Sequence, residues 1–356
     1  MFDMNWKDIL LQYYKPAFLA FGLAFLLILL ALKIFPKLKL LDRPQKYGFK
    51  RAPIPYYGGL VIFLVFLITV IIFVPFTKTV IGLLIGASLI AILGFFDDLF
   101  GLNPWFRLCV QSVAALILVF FGIGILSINL PFFGVISSTG IIWKGIFILS
   151  ALFTILWVMT ILNTMNFVDG VSGLSSGVSF VAGLTVFFLS IHPGLHENPQ
   201  SQVGVAIIAL TVAMISLAFL FFDFPPAKIL MGDTGSTFLG FILATLAIFS
   251  GGKVATAFLV LGIPILDMIW VVLRRLASGK KFWHGDLQHL HHRLLYFGFS
   301  ERKVVIIYLF ITAIFGISAV LMVSGQQKFF MIIALGILML LLAVALVLFP
   351  NYKKKD

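Results

Sequence analysis

Ile81-Gly-Leu-Leu-Ile-Gly-Ala-Ser-Leu-Ile-Ala-Ile-Leu-Gly-Phe-Phe96 runs without a charge and then meets two consecutive carboxylates, Asp97-Asp98. With Thr79 and Val80 the run approaches the roughly 20 residues that cross a bilayer as a helix. A buried helix of a large soluble core would also be apolar, and repetition decides between the two. Comparable runs at 17–35, 57–75, 108–126, 145–162, 177–191, 202–221, 237–250, 254–273, 304–324 and 328–349 bring the number of segments to eleven, or ten if the short 237–250 run does not cross. The chain is 62% hydrophobic and 11% charged, with a mean hydropathy of +1.16, whereas soluble domains carry about 25% charged residues. The expected fold is therefore an all-α integral membrane protein, a polytopic bundle of about eleven transmembrane helices forming one domain over residues 1–356.

The first run reads as a retained helix. Asp3 and Asp8 precede it, Lys33, Lys37 and Lys39 follow it, and no small-residue cleavage site is evident. Cys109 is the sole cysteine, which excludes an intrachain disulfide and a metal site built on cysteine pairs. With the N-terminus outside, alternating the connections puts 19 of the 25 Lys and Arg residues on the cytoplasmic side, the bias expected of inward-facing loops. The net charge of +12 does not point to nucleic acid. The basic residues sit beside spans and are not threaded through base-stacking aromatics, so anionic lipid headgroups and a phosphorylated substrate account for them.

Four polar segments interrupt the apolar sequence, all on the same predicted side: Asp97-Asp98, Asn163-Thr-Met-Asn166-Phe-Val-Asp169-Gly170, Met231-Gly232-Asp233-Thr-Gly235-Ser236 and His284-Gly-Asp286-Leu-Gln-His289-Leu-His291-His292. Ionisable groups next to lipid cost energy and are retained for function, so several clusters at span ends predict one catalytic face assembled from several loops. Adjacent carboxylates repel, and Mg²⁺, which favours carboxylates together with phosphate oxygens, would relieve them; a solvated helix end is the plainer reading. The amides and carboxylate of the second segment, followed by Gly173 and Gly177, predict a binding loop, although helix packing alone would account for the glycines. In the third, Gly232 and Gly235 free the backbone around Asp233, while Thr234 and Ser236 suit either phosphate contact or a helix cap. The histidine segment lacks the i,i+4 pair with a glutamate that marks a zinc protease. Beside Arg274, Arg275, Lys280, Lys281 and Arg293 it fits anionic groups or acid–base work.

Taken in order, these motifs resemble the polyprenyl-phosphate N-acetylhexosamine-1-phosphate transferases, most closely the WecA/TagO-like branch. The likeness extends over nearly the whole chain. It includes Asp42-x-Pro44, Pro53-x-Pro55, Gly58-Gly59, Asp267 followed by Arg274-Arg275, and His289-x-His291-His292, where the peptidoglycan MraY branch typically has three consecutive histidines. The resemblance implies transfer of GlcNAc-1-phosphate from UDP-GlcNAc to undecaprenyl phosphate with release of UMP, in a bacterial inner membrane, with Mg²⁺ as cofactor; relatives suggest a homodimer. By carry-over, Asp233 and Asp98 would hold the metal, and Asp97 would lie closest to the lipid phosphate. Catalytic work would fall to Asp97, Asp98, Asp169 and His291. Asn163, Asn166 and Asp169 would serve the nucleotide-sugar, and Lys46, Arg51, Arg107, His289, His291, His292 and Arg293 its phosphates or sugar. The chain departs from the family pattern at Tyr47, Gly48 and Lys50, at Ser172, where a second aspartate is common, and at Leu287, where a basic residue is. The alternatives are the same transfer with another UDP-sugar, such as UDP-MurNAc-pentapeptide, or a membrane transporter. A transporter would place its carboxylates near the bilayer midplane.

Overall fold

A computed structural model describes residues 6–47, 51–130, 134–143, 145–192, 195, 199–249, 258–277, 279, 289–322 and 324–348. Among them the α-helices are α1 (Trp6–Ile34), α2 (Gly58–Phe73), α3 (Lys78–Phe100), α4 (Pro104–Phe120), α5 (Ile148–Val168), α6 (Leu174–Ile191), α7 (Val203–Asp223), α8 (Gly232–Phe249), α9 (Gly262–Ala277), α10 (Leu290–Tyr296), α11 (Glu301–Leu321) and α12 (Gly325–Leu348). Eight of the described helices are long and apolar enough to cross a membrane, and α2 and α4 are shorter apolar helices. The chain is thus a polytopic helical membrane protein. Every predicted run has a helix in it; α10, which carries histidines, is an extra seven-residue helix outside those runs.

The ends of the helices differ from the ends of the apolar runs in one consistent way. Helix α3 continues through Asp97 and Asp98 to Phe100, α5 continues through Asn163 and Asn166 to Val168, and α8 begins at Gly232. Hydropathy drops where polar side chains begin, but the backbone goes on making helical hydrogen bonds. The first, second and third motifs therefore stand largely on helix ends, not on the loops expected of them. Between α4 and α5 the structure adds two antiparallel hairpins, β1 (Ser127–Leu130) with β2 (Gly134–Ser137), and β3 (Ile142–Trp143) with β4 (Ile146–Phe147). These strands are too short to stand out from the flanking apolar runs.

Helix α8 is the axis of the bundle. Nearly all of it is buried, against α3 and α5 above all and also α2, α6 and α7, whereas little of α1 and α12 is fully buried. Small residues let its first turn sit close to its neighbours. A Cβ on Gly59 of α2 would fall 2.1 Å from the Gly235 nitrogen, and one on Gly94 of α3 would fall 2.6 Å from the Thr234 Cα. Either contact is closer than atoms tolerate, so any side chain there would push α8 away. The N-terminus of α8, with Asp233, is thereby fixed at the centre of one end of the bundle.

Candidate active site

At that end lies a cavity of about 820 Å³, within the range of small-molecule and cofactor sites. Its walls include Asp97, Asp98, Arg107, Asp169, Ser172 and Asp233, with Tyr56, Arg43 and Arg51 from the α1–α2 connection.

Asp97 and Asp98 are neighbours in sequence but face different partners, because successive helical residues point about 100° apart. Asp97 is buried; its Oδ1 accepts the Leu102 N–H at 2.7 Å and its Oδ2 accepts Arg107 Nη1 at 2.5 Å. The same Arg107 nitrogen lies 3.2 Å from Asp233 Oδ2. A cation from the first turn of α4 is thus held between carboxylates of α3 and α8. Asp98 instead caps α8. Its Oδ1 accepts the Asp233 N–H at 2.8 Å and the Tyr56 hydroxyl at 3.0 Å, and its Oδ2 accepts the N–H and hydroxyl of Thr234 at 3.0 and 2.6 Å. These donors satisfy free N–H groups at the helix start and place a negative charge at its positive end. They occupy the lone pairs that metal ligation by Asp98 would need.

Asn166 Nδ2 donates to Asp233 Oδ1 at 2.9 Å and to Ser236 Oγ at 3.3 Å, while Asn163 Nδ2 donates to the Met159 carbonyl at 2.7 Å and to Gln111 Oε1 at 3.2 Å. Both amides, expected on the nucleotide-sugar, lie in a half-buried polar network joining α4, α5 and α8. Asn166 aims Asp233; Asn163 ties α5 to α4.

Asp169 ends α5. No hydrogen-bond donor faces its carboxylate among the described residues, and burial, then the negative charges of Asp223, Asp233 and Asp98, hold its proton affinity well above the usual carboxylate range. The Tyr56 hydroxyl is likewise pushed far up, by burial first and then by Asp98, so it stays a hydrogen-bond donor. Tyr56 is a site residue that no motif singles out; its place between Pro55 and Gly58-Gly59 is the one local signal.

The histidines stand behind Gly170. A Cβ on that glycine would lie 2.9 Å from His291 Nε2 and 3.3 Å from His292 Nε2. His289 Nδ1 pairs with Asp267 Oδ2 at 3.1 Å, and Asp267 Oδ1 accepts the Leu290 N–H at 2.9 Å, which anchors the start of α10 to α9. His291 is 1% exposed, and among the described residues neither of its ring nitrogens has a hydrogen-bond partner. Burial, then its neighbours His292 and His289, hold it well below its ordinary pKa, so it is uncharged at neutral pH.

Two expected substrate-binding arginines are placed differently. Arg51 lines the cavity, but its guanidinium forks onto Asp42, with Nη2 to Oδ2 at 2.6 Å and Nη1 to Oδ1 at 3.3 Å, bracing the loop. Arg293 lines a separate apolar pocket of about 200 Å³ between α9 and α12, with Trp270, Leu273 and Met339. Lys46 belongs to the turn Pro44–Tyr47, and its side chain lies outside the described set. Gly48, Lys50, Lys280, Lys281, His284, Asp286 and Leu287 also lie outside the described residues.

Fold and site together define a polytopic membrane protein that gathers carboxylates and arginines around one cavity at the end of its bundle, with asparagine side chains bonded to Asp233 and to the neighbouring helices. The model of glycosyl transferase family 4 matches residues 80–251, from α3 to just beyond α8. The chain is 31% identical over 320 residues to the probable undecaprenyl-phosphate N-acetylglucosaminyl 1-phosphate transferase of Bacillus subtilis (strain 168), covering 87% of this chain and 86% of that protein. It is 32% identical to the decaprenyl-phosphate N-acetylglucosaminephosphotransferase of Mycobacterium tuberculosis (strain ATCC 25618 / H37Rv), over 75% of this chain and 72% of that one. With the undecaprenyl-phosphate alpha-N-acetylglucosaminyl 1-phosphate transferase of Escherichia coli (strain K12) the identity is 27%, over 79% and 76% of the two chains. The protein belongs to glycosyl transferase family 4, in the WecA/TagO-like branch of polyprenyl-phosphate N-acetylhexosamine-1-phosphate transferases.

Proposed function

We propose that the protein transfers GlcNAc-1-phosphate from UDP-GlcNAc to undecaprenyl phosphate, releasing UMP, at the cytoplasmic face of a bacterial inner membrane, for cell-envelope polysaccharide synthesis. The observation that carries this reading is the bridge of Arg107 between Asp97 and Asp233 on the wall of the cavity. A fixed cation among carboxylates suits a reaction between two anions. The relatives' names supply the sugar phosphate and the polyprenyl phosphate.

In this reading an oxygen of the lipid phosphate attacks the sugar-bearing phosphorus of the donor. A new P–O bond forms, the P–O bond to the UMP phosphate breaks, and its electron pair leaves on UMP. Two unit charges about 4 Å apart repel by roughly 4 kcal/mol at an effective dielectric of 20, so approach of the two phosphates needs countercharge. Arg107 supplies one, held in place by Asp97. Asp233 fits the role of Mg²⁺ ligand: Asn166 and Arg107 each donate to one of its oxygens, which leaves lone pairs toward the cavity. Among the described residues no three carboxylate, thiol or imidazole groups form a ready-made cage, in keeping with Mg²⁺ held by one or two carboxylates and completed by substrate phosphates. When bound there, the ion would neutralise charge developing on the transferred group. Asp98 keeps the α8 N-terminus, and with it Asp233, in position. Asp169, Ser172 and the neutral His291 behind Gly170 serve the nucleotide-sugar side.

Purified protein given undecaprenyl phosphate should release UMP from UDP-GlcNAc and form the lipid-linked pyrophosphoryl sugar, with roughly tenfold or lower use of UDP-MurNAc-pentapeptide. Preference for the latter would reassign the donor. Direct attack requires both substrates together, so sugar-labelled UDP-GlcNAc without acceptor should give neither a stoichiometric UMP burst nor labelled protein. A burst lost in Asp97→Asn would establish a covalent route instead.

A further inference from the structure

We infer that Asp223, at the C-terminal end of α7, is a positioning residue for the nucleotide-sugar side of the cavity, acting through the turn that joins α5 to α6. The identity of the affected substrate rests on the function proposed above. Asp223 is 2% exposed and is not part of the cavity wall. Its Oδ2 accepts the Gly173 N–H at 2.9 Å and the Ser176 hydroxyl at 2.8 Å. Gly173 is the residue from which α6 starts, and it has no side chain to cap that helix. The donors left free at a helix start must find acceptors when buried, and here a carboxylate from a different helix provides one.

What that anchor holds is the adjoining turn. Asp169, Gly170, Val171 and Ser172, which immediately precede Gly173, all line the cavity. One end of the turn is fixed by α5, where the Asp169 N–H donates to the Met165 carbonyl at 3.2 Å and the Gly170 N–H to the Phe167 carbonyl at 3.4 Å. The other end is fixed by Asp223 at Gly173. Five residues pinned at both ends leave Asp169 little choice of direction, and among the described residues no hydrogen bond to its carboxylate adds to that restraint. Release of the Gly173 end would let the turn, and the carboxylate it carries, move relative to Asp233. Asparagine at position 223 would still offer an oxygen to both donors, whereas alanine offers none.

The test uses the full-length protein in detergent or nanodiscs. Asp223→Ala should raise the KM for UDP-GlcNAc about tenfold or more, while kcat and the KM for undecaprenyl phosphate stay within about twofold. Asp223→Asn should restore most of the donor affinity, and Ser176→Ala, which removes one of the two bonds, should show a smaller rise in donor KM. A purely structural role would lower the active fraction and kcat with donor KM unchanged. That result, or an Asp223→Asn as impaired as alanine, would overturn the inference; if Asp223→Ala does not fold, an unchanged donor KM in Ser176→Ala would do so. Amide hydrogen exchange across 169–177 gives a readout without substrate: Asp223→Ala should speed exchange in this segment and leave the start of α8 protected, and unchanged exchange across 169–177 counts against the anchor. Failure of the wild type to release UMP from UDP-GlcNAc would instead refute the proposed reaction, leaving the exchange experiment to judge the anchor.

Discussion

Arg107 stands ten residues from Asp97 and 126 from Asp233 in sequence, and only the packing of α4 against α3, with α3 in turn against α8, brings the three together. The sequence offers Arg107 as one of several basic residues for the substrate's phosphates or sugar, with nothing to pair it with Asp97 and Asp233. Arg107→Gln would leave Asp97 and Asp233 facing each other without a cation, and we expect kcat/KM to fall about 10²- to 10³-fold, as for loss of a preorganised charge stabiliser. Wild-type turnover in UMP release would remove Arg107 from the chemistry. Asp233→Asn should be as severe or worse, with activity down roughly 10³-fold or more and no rescue by raised Mg²⁺. Near-normal activity with an unchanged Mg²⁺ dependence would show that the ion is held elsewhere. The acidic pair was legible as a site, but its division of labour was not. Which of two consecutive aspartates meets α4 and which meets α8 depends on the rotation of α3 about its axis, and hydropathy does not report rotation when glycines and alanines lie on several faces.

At the scale of elements, one device recurs: a carboxylate on one helix accepts backbone N–H groups at the start of another. Asp98 of α3 does this for α8, Asp223 of α7 for the residue that opens α6, and Asp267 of α9 for α10. Each capped end carries or adjoins a motif, so the same contacts that join helices also fix the site. The motifs were visible in sequence because polar residues interrupt apolar runs; their partners were not, since a cap from another helix leaves no local pattern of the Ser-x-x-Glu kind. Asp98→Ala would strand the Asp233 and Thr234 N–H groups and two hydroxyls. Each buried donor left without an acceptor costs roughly 1–3 kcal/mol, so destabilisation of at least about 3 kcal/mol is expected, with Asp98→Asn intermediate because its one amide oxygen retains part of the cap. Thermal unfolding in detergent should rank wild type above asparagine and asparagine above alanine; an alanine variant as stable as wild type would show that the cap does not hold α8.

For the whole molecule, the sequence conveyed the class of fold because lipid imposes a length and composition on every crossing segment. It conveyed less about the ends, since α3, α5 and α8 carry their polar residues as continuations of helices. The orientation can be argued from charge. The cavity is walled by the C-terminal ends of α3 and α5 and the N-terminal ends of α4, α8 and α11, which places it at one end of the bundle. The connections at that end hold most of the 19 basic residues assigned to the cytoplasm, and a translocated loop with so much positive charge would oppose the usual insertion bias. Labelling tests this if the probes are exposed. Ser175, on α6 near the second motif, is fully buried and would react from neither side, whereas Gln45 in the α1–α2 connection, Ser137 on β2 and Ser201 before α7 are exposed. In a background with Cys109 replaced, because that thiol is itself exposed, single cysteines at 137 and 201 should react with a membrane-impermeant maleimide in intact cells. A cysteine at 45 should react only after permeabilisation. The reverse pattern would put the cavity outside, away from any cytoplasmic nucleotide-sugar, and the proposed donor would fall with the topology.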